Sequence, residues 1–184
     1  MRIITGKARG VKLATLDGDA TRPTSERAKE AVFSMLQFDI EGRTVLDLFG
    51  GSGQLGLEAL SRGAKLAYIA DSSKAAVAII NQNAEKTRLK ENCRVMQADW
   101  KETLRRVKGE KFDIVFIDPP YAMNIIPTVL EELYHLLKPT TTVVCESGSD
   151  ISDSITEKYE IIKSSKYGVA YVMLLKPKKE VSEI

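Results

Sequence analysis

Two consecutive prolines, Pro119 and Pro120, follow the apolar run Phe112-Asp113-Ile114-Val115-Phe116-Ile117. That run reads as a buried strand. Neither proline has an N–H for a strand ladder, and each fixes its own φ, so the strand must stop where they begin. The chain is left at the strand's carboxyl edge in a stiff extended loop. Asp118 stands at the exit and Tyr121 lies three residues on. A rigid acceptor beside a flat ring suits gripping the amino group of a planar base while the ring stacks on its face. Asp-Pro alone would be read as a strand end with a proline turn. The full tetrapeptide, with a glycine-rich loop upstream, favours the functional reading.

The rest of the main body alternates strand and helix patterns. Strands are expected at Thr44 to Phe49, Leu66 to Ala70, Arg94 to Gln97, Phe112 to Ile117 and Thr141 to Cys145. Helices are expected at Leu55 to Ser61, Lys74 to Arg88, Lys101 to Val107 and Ile126 to Leu137, the last closed by Pro139. Alternating β and α units imply an α/β fold with a mostly parallel sheet covered on both faces. Tyr159 to Lys163 and Val169 to Leu175 are too close for a helical crossover, so they predict an antiparallel hairpin at a sheet edge. Before this body, Arg2 to Thr5 and Val11 to Leu16 predict a short hairpin. A helix then starts at Arg22-Pro23-Thr24, with Thr24 as N-cap and Ala28, Val32, Met35 and Leu36 on its apolar face. Residues 1–42 thus look like an appendage on a core of 43–177, with a polar tail from 178 to 184, all within one domain.

Composition excludes several classes. No apolar stretch approaches the ~20 residues of a membrane span, and the N-terminus lacks the apolar run of a secretion signal. Cys93 and Cys145 sit in strand-like runs and are expected to pack as small apolar residues in a reducing cytosol. One histidine, His135, and no cysteine cluster argue against a zinc site. The net charge of +2 names no partner, but its distribution is uneven. Arg2, Lys7, Arg9, Lys12, Arg22, Arg27 and Lys29 face only Asp17, Asp19 and Glu26 across the first 29 residues. Arg105, Arg106, Lys108 and Lys111 form a second basic group, and Lys163, Lys166, Lys176, Lys178 and Lys179 a third. Each group fits a solvated face, and together they permit a phosphate-backbone surface.

Downstream of the first strand, Asp47-Leu48-Phe49-Gly50-Gly51-Ser52-Gly53-Gln54-Leu55-Gly56 contains Gly51-x-Gly53-x-x-Gly56, and Asp71 lies 20 residues after Gly51. Alone, this fits a dinucleotide fingerprint, in which backbone approaches the ligand closely and a carboxylate reaches ribose hydroxyls. Asp47 tilts the choice. An acid just before the loop is awkward for a pyrophosphate and favourable for the ammonium and sulfonium of S-adenosylmethionine. Asp99, after the third strand, is placed to accept from an adenine amino group. Trp100 either flanks that ring or packs in the core.

Taken together, these motifs resemble the amino-methylating class of adenosylmethionine-dependent methyltransferases. More closely, the chain resembles the RsmD family, bacterial enzymes that methylate guanine N2 in 16S ribosomal RNA. The likeness is carried by Arg2-Ile3-Ile4 with Gly6-Lys7 and Arg9-Gly10, by Arg22-Pro23-Thr24 with Arg27 and Glu30, by Gly56 to Ala64, by Asp118 to Tyr121 and by Glu146-Ser147. Gly51, Gln54 and Asp71 depart from the family's more usual alanine, small residue and glutamate. The resemblance implies a Rossmann-like class I methyltransferase with a seven-stranded sheet in the order 3-2-1-4-5-7-6. It implies S-adenosylmethionine held by Asp47, Phe49, Gly51, Gly53, Asp71, Asp99 and Trp100. It implies a target base held by Asp118, the Pro119 carbonyl and Tyr121, and RNA met by Arg2, Lys7, Arg9, Arg22 and Arg27. The partner would be 16S rRNA, within the small ribosomal subunit or an assembly intermediate, in the cytoplasm, with no membrane and no metal. Three other readings stay open: an adenine-N6 methyltransferase, an NAD-dependent oxidoreductase read from the glycine loop alone, and a non-catalytic assembly factor.

Overall fold

The computed structural model describes residues 1–16 and 23–178. Its strands are β1 (Thr44–Asp47), β2 (Leu66–Asp71), β3 (Cys93–Gln97), β4 (Phe112–Ile117), β5 (Leu137–Ser147), β6 (Tyr159–Tyr167) and β7 (Ala170–Pro177). They form one sheet in the order 3-2-1-4-5-7-6, as the resemblance implies. The pairs from β3 across to β5 are parallel, and β7 runs antiparallel to both β5 and β6. The helices are α1 (Pro23–Met35), α2 (Gln54–Ser61), α3 (Lys74–Lys86), α4 (Trp100–Arg106) and α5 (Ile126–Leu133).

Strands buried on both faces need apolar residues at successive positions, and β1 and β4 supply them. Val45, Ile114 and Phe116 join one core layer with Val32 and Phe33 of α1, Leu57 and Leu60 of α2, and Ile80 of α3. Leu46, Val115 and Ile117 join the opposite layer with Leu104 of α4 and with Val129 and Leu133 of α5. Cys93 and Cys145 are both buried and free, and burial pushes the Cys93 thiol up to about 11. No helix among the described residues is long and apolar enough to cross a membrane.

The N-terminal segment differs most from expectation. Its hairpin is present but short: an antiparallel bridge joins Arg2 to Lys12, the Ile3 N–H donates to the Val11 carbonyl at 3.0 Å and the Leu13 N–H to the Met1 carbonyl at 3.1 Å. The segment also spends polar groups on α2. The Ile4 and Thr5 N–H groups donate to Glu58 at 2.8 and 3.0 Å. The Lys7 N–H donates to the Ser61 carbonyl at 2.8 Å, and the Ala8 N–H to Ser61 Oγ at 2.9 Å. Ile3, Ala8 and Leu13 are buried in the same core layer as α1 and α2, so this stretch is woven into the core. Glu58 is fully buried and pairs with Arg62 at 2.8 Å and Lys29 at 3.8 Å. Lys29, which the sequence groups with a basic face, is therefore an interior residue.

Smaller shifts have local causes. Pro23 opens α1, because proline presets φ and lacks the N–H that a first turn leaves unpaired; Thr24 falls inside the helix instead of capping it. Pro139 does not close α5, which ends at Leu133 and passes through a tight turn at Tyr134–Leu136 into β5. The β4–β5 register shifts between Phe112 and Ile114, so Pro139 falls where the ladder is already irregular and needs no N–H. At the far edge, β6 runs to Tyr167 and β7 starts at Ala170, leaving only Gly168 and Val169 to turn the chain.

Candidate active site

Parallel α/β sheets bind ligands at the strands' carboxyl ends, beside the point where the order reverses. Here β1 lies between β2 and β4, and a cavity of about 670 Å³ opens above their carboxyl ends. Its wall combines the loop after β1, Asp71 at the end of β2, Asp99 and Trp100 after β3, Asp118 to Tyr121 after β4, and Glu146 near the end of β5. Met1, Thr15 and Leu16 from the N-terminal segment complete it. Asp71, Asp99, Asp118 and Glu146 line this cavity, and no Lys, Arg or His does so among the described residues. Such a wall repels a pyrophosphate and suits a nucleoside that carries positive charge.

The glycine loop is shaped from behind by acids. Asp71 accepts the Gly51 N–H at 2.9 Å through one oxygen and the Ser73 N–H at 2.8 Å through the other. Gly51 has φ +57°, and a Cβ there would meet nothing within 4 Å. The backbone conformation calls for glycine, and the space above it is left for a ligand. Asp47 and Gly53 stand behind the cavity wall, not on it. Asp47 is buried, with Oδ2 accepting the Gly56 N–H at 3.2 Å and Oδ1 without a partner among the described residues. Burial raises its carboxyl to about 7, so it braces the loop from below without presenting a fixed full charge to a ligand. Asn83 of α3, fully buried, holds the Ala14 backbone through both its N–H and carbonyl, and donates to the Ser52 carbonyl at 2.9 Å. One amide thus ties the N-terminal segment to the glycine loop.

Asp99 caps α4, accepting the Glu102 N–H at 2.8 Å, while its side chain remains on the cavity wall. Trp100 packs with Leu104 in the core and also lines the cavity. Phe49 and Gly51 line the cavity as well.

At the exit of β4, Asp118 is half-buried, Pro119 buried and Tyr121 exposed. The Tyr121 hydroxyl donates to Glu146 Oε1 at 2.8 Å. A Cβ on Gly148 would come within 2.6 Å of the Tyr121 ring, so glycine there gives the ring its seat. Burial, the neighbouring Glu146 and then Asp47 push the Asp118 carboxyl well above the usual carboxylate range. Burial also raises Glu146, with the Tyr121 hydroxyl pulling it back down. Glu146 was visible in the sequence only as part of a resemblance. Its place beside Asp118 follows from the β4–β5 register, which no spacing in the sequence reveals.

Among the basic residues, Arg2, Lys7, Arg9 and Arg27 are exposed, and Arg22 lies outside the described residues. No group of three or more metal-ligating side chains gathers among the described residues.

Known proteins share both this sequence and this fold. The chain is 32% identical over 173 residues to the Ribosomal RNA small subunit methyltransferase D of Haemophilus influenzae, covering 92% of this chain and 90% of that one. It is 38% identical over 138 residues to the protein of the same name from Escherichia coli, covering 75% and 67%. The solved structure of yhhF from Escherichia coli superposes with a TM-score of 0.85 at 27% identity, covering 98% and 99%. The family described as Conserved hypothetical protein 95 matches residues 1–176. On that match and those relatives, the chain belongs to this family, the RsmD family, and has the fold of the class I methyltransferases.

Proposed function

We propose that this chain transfers a methyl group from S-adenosylmethionine to the exocyclic N2 amine of a guanosine in small-subunit ribosomal RNA. The observation that carries the reading is the acid-lined cavity. Four acidic side chains, with no Lys, Arg or His among the described residues of the wall, suit a sulfonium nucleoside beside a glycine loop, and the same cavity ends in an acid, a proline carbonyl and a ring suited to a planar base. The names of the relatives support rRNA as the substrate.

Asp71 and Asp99 accept ribose hydroxyls and an adenine amine, and the Gly51 backbone allows close approach. S-adenosylmethionine supplies a methyl group already activated by its sulfonium, which leaves as a neutral thioether. The protein's work is therefore mostly positioning. Asp118 and the Pro119 carbonyl accept the two amino hydrogens of the base. This draws the nitrogen toward tetrahedral geometry and aims its lone pair along the transfer line. As the N–C bond forms and the S–C bond breaks, one amino proton passes to the Asp118 carboxylate. Tyr121, seated on Gly148, stacks on the base, a contact worth ~1–3 kcal/mol. The base must be unpaired or flipped out to enter. Arg2, Lys7, Arg9 and Arg27 are exposed to meet the phosphates around it.

The test is transfer of labelled methyl to small ribosomal subunits that lack their native methylation, followed by digestion to nucleosides. Label in N2-methylguanosine is expected. Label in N6-methyladenosine would leave the fold and overturn the substrate. No transfer to subunits or to free RNA would overturn the activity.

A further inference from the structure

A second acid stands where the base must sit. Ile117 of β4 pairs with Cys145 of β5 in parallel register, so the next residues, Asp118 and Glu146, leave adjacent strands side by side. Both line the cavity together with Tyr121. Glu146 is fixed in orientation, because its Oε1 accepts the Tyr121 hydroxyl at 2.8 Å and the Tyr121 ring rests against Gly148. That bond occupies one lone pair of a group that offers about four, so the carboxylate retains capacity to accept. Placing two acids together in a partly dry pocket is costly. Anchoring one tyrosine hydroxyl needs only a neutral acceptor, so the charge asks for a further use.

Nucleobase edges supply one. Guanine presents N1–H directly beside its N2 amine, two donors in a row. Adenine presents the bare N1 acceptor beside its N6 amine. Two adjacent carboxylates complement the first edge and oppose the second. We propose that Glu146 accepts the guanine N1–H while Asp118 receives the N2 amine, so that Glu146 selects guanine against adenine. This rests on the guanine-N2 reading above. Of the two acids, Glu146 is the one held back toward its ionised form by the Tyr121 hydroxyl, as an acceptor of N1–H must be.

The test uses the full chain and 2-aminopurine, which keeps the exocyclic amine at position 2 but has no hydrogen on N1. Methyl transfer is compared on small subunits that carry guanosine or 2-aminopurine riboside at the mapped target position. The wild type should prefer guanosine by about 10- to 100-fold in kcat/KM, the worth of one hydrogen bond to a charged group. Glu146→Gln should lose guanosine turnover and level that ratio, because its amide can donate to the bare N1. It should still gain the wild-type rise in melting temperature with S-adenosylhomocysteine. Tyr121→Phe keeps the carboxylate but removes the hydroxyl that orients it and holds it toward its ionised form, so the preference should shrink without reaching the level of Glu146→Gln. Equal wild-type rates on the two bases, or an unchanged ratio in Glu146→Gln, overturn the proposal. The wild-type comparison decides alone if the variant does not fold. Wild-type label in N6-methyladenosine brings down the guanine reading itself. Label in N2-methylguanosine with an unmoved ratio brings down only the role of Glu146.

Discussion

The Asp71 carboxylate accepts the Gly51 N–H at 2.9 Å, so the acid that closes β2 also sets the loop that follows β1. Its other oxygen holds the Ser73 N–H ahead of α3. Asp71→Ala removes both braces together with the acceptor that the proposed function assigns to a ribose hydroxyl. Affinity for S-adenosylhomocysteine should fall about 10- to 100-fold, as expected for lost bonds to a charged group. Asp71→Asn keeps one carbonyl oxygen and should fall between the two. Calorimetric titration of the three proteins checks the order.

In the proposed mechanism Asp118 touches the base, and among the described residues no hydrogen bond joins it to the glycine loop. Asp118→Ala should therefore lower methyl transfer by about 10²–10³-fold while affinity for S-adenosylhomocysteine stays within a few-fold. Single-turnover transfer and cofactor titration, run side by side, separate the two effects. Near-normal turnover would remove Asp118 from the chemistry.

Asp47 gives the protein a pH-dependent stability. Burial raises its carboxyl from 3.8 to about 7 in the folded protein. Between those values the folded state holds a proton that the unfolded state has released, so this contribution is full at low pH and is lost as pH rises through about 7. The loss amounts to at most about 4 kcal/mol for a shift of this size. Asp47→Asn should unfold with a free energy that varies less between pH 4 and pH 8, as read by urea titration at several pH values. A slope equal to that of the wild type would show that Asp47 ionises freely in the fold.

Glu58 is the anchor of the N-terminal segment. It is fully buried, with Arg62 and Lys29 against it and two backbone N–H groups of the segment bonded to it. Glu58→Ala strands a buried lysine and two backbone donors, at a cost of about 3–5 kcal/mol. Urea denaturation should show the loss, and amide exchange at Ile4 and Thr5 should quicken more than in β4.

Arg2, Lys7, Arg9 and Arg27 are exposed, so their contribution to RNA binding should appear as salt dependence. Replacing all four with Ala should flatten the slope of log affinity against log salt, by about 0.7–0.9 for each phosphate no longer neutralised. An unchanged slope would mark them as a solvated face.

Much of this arrangement was legible in the chain itself. Apolar runs ended by prolines or glycines located β1, β4 and the two loops that build the cavity, because a strand buried on both faces cannot hide its composition. What could not be read was set by bonds between distant residues. Ser61 receives the Ala8 N–H across 53 positions, and nothing in residues 1–16 announces that partner; the segment therefore looked detachable. Asp47 looked like a ligand-facing acid because spacing places it before the loop, whereas its side chain turns beneath the loop to Gly56. Glu146 reaches Asp118 only through strand register. Pro139 looked like a helix terminator, but a register shift in the neighbouring ladder lets it sit inside β5.

The amide of Asn83 has a consequence for how the polypeptide is made. Two of its three bonds reach Ala14 and the third reaches Ser52. A shortened chain beginning at β1 would leave that amide buried and short of partners, so it would not be a minimal enzyme. During synthesis the first sixteen residues emerge early and must wait for a partner 69 positions downstream. The glycine loop is finished only when α3 has left the ribosome and closed the knot between the N-terminal segment and the middle of the chain.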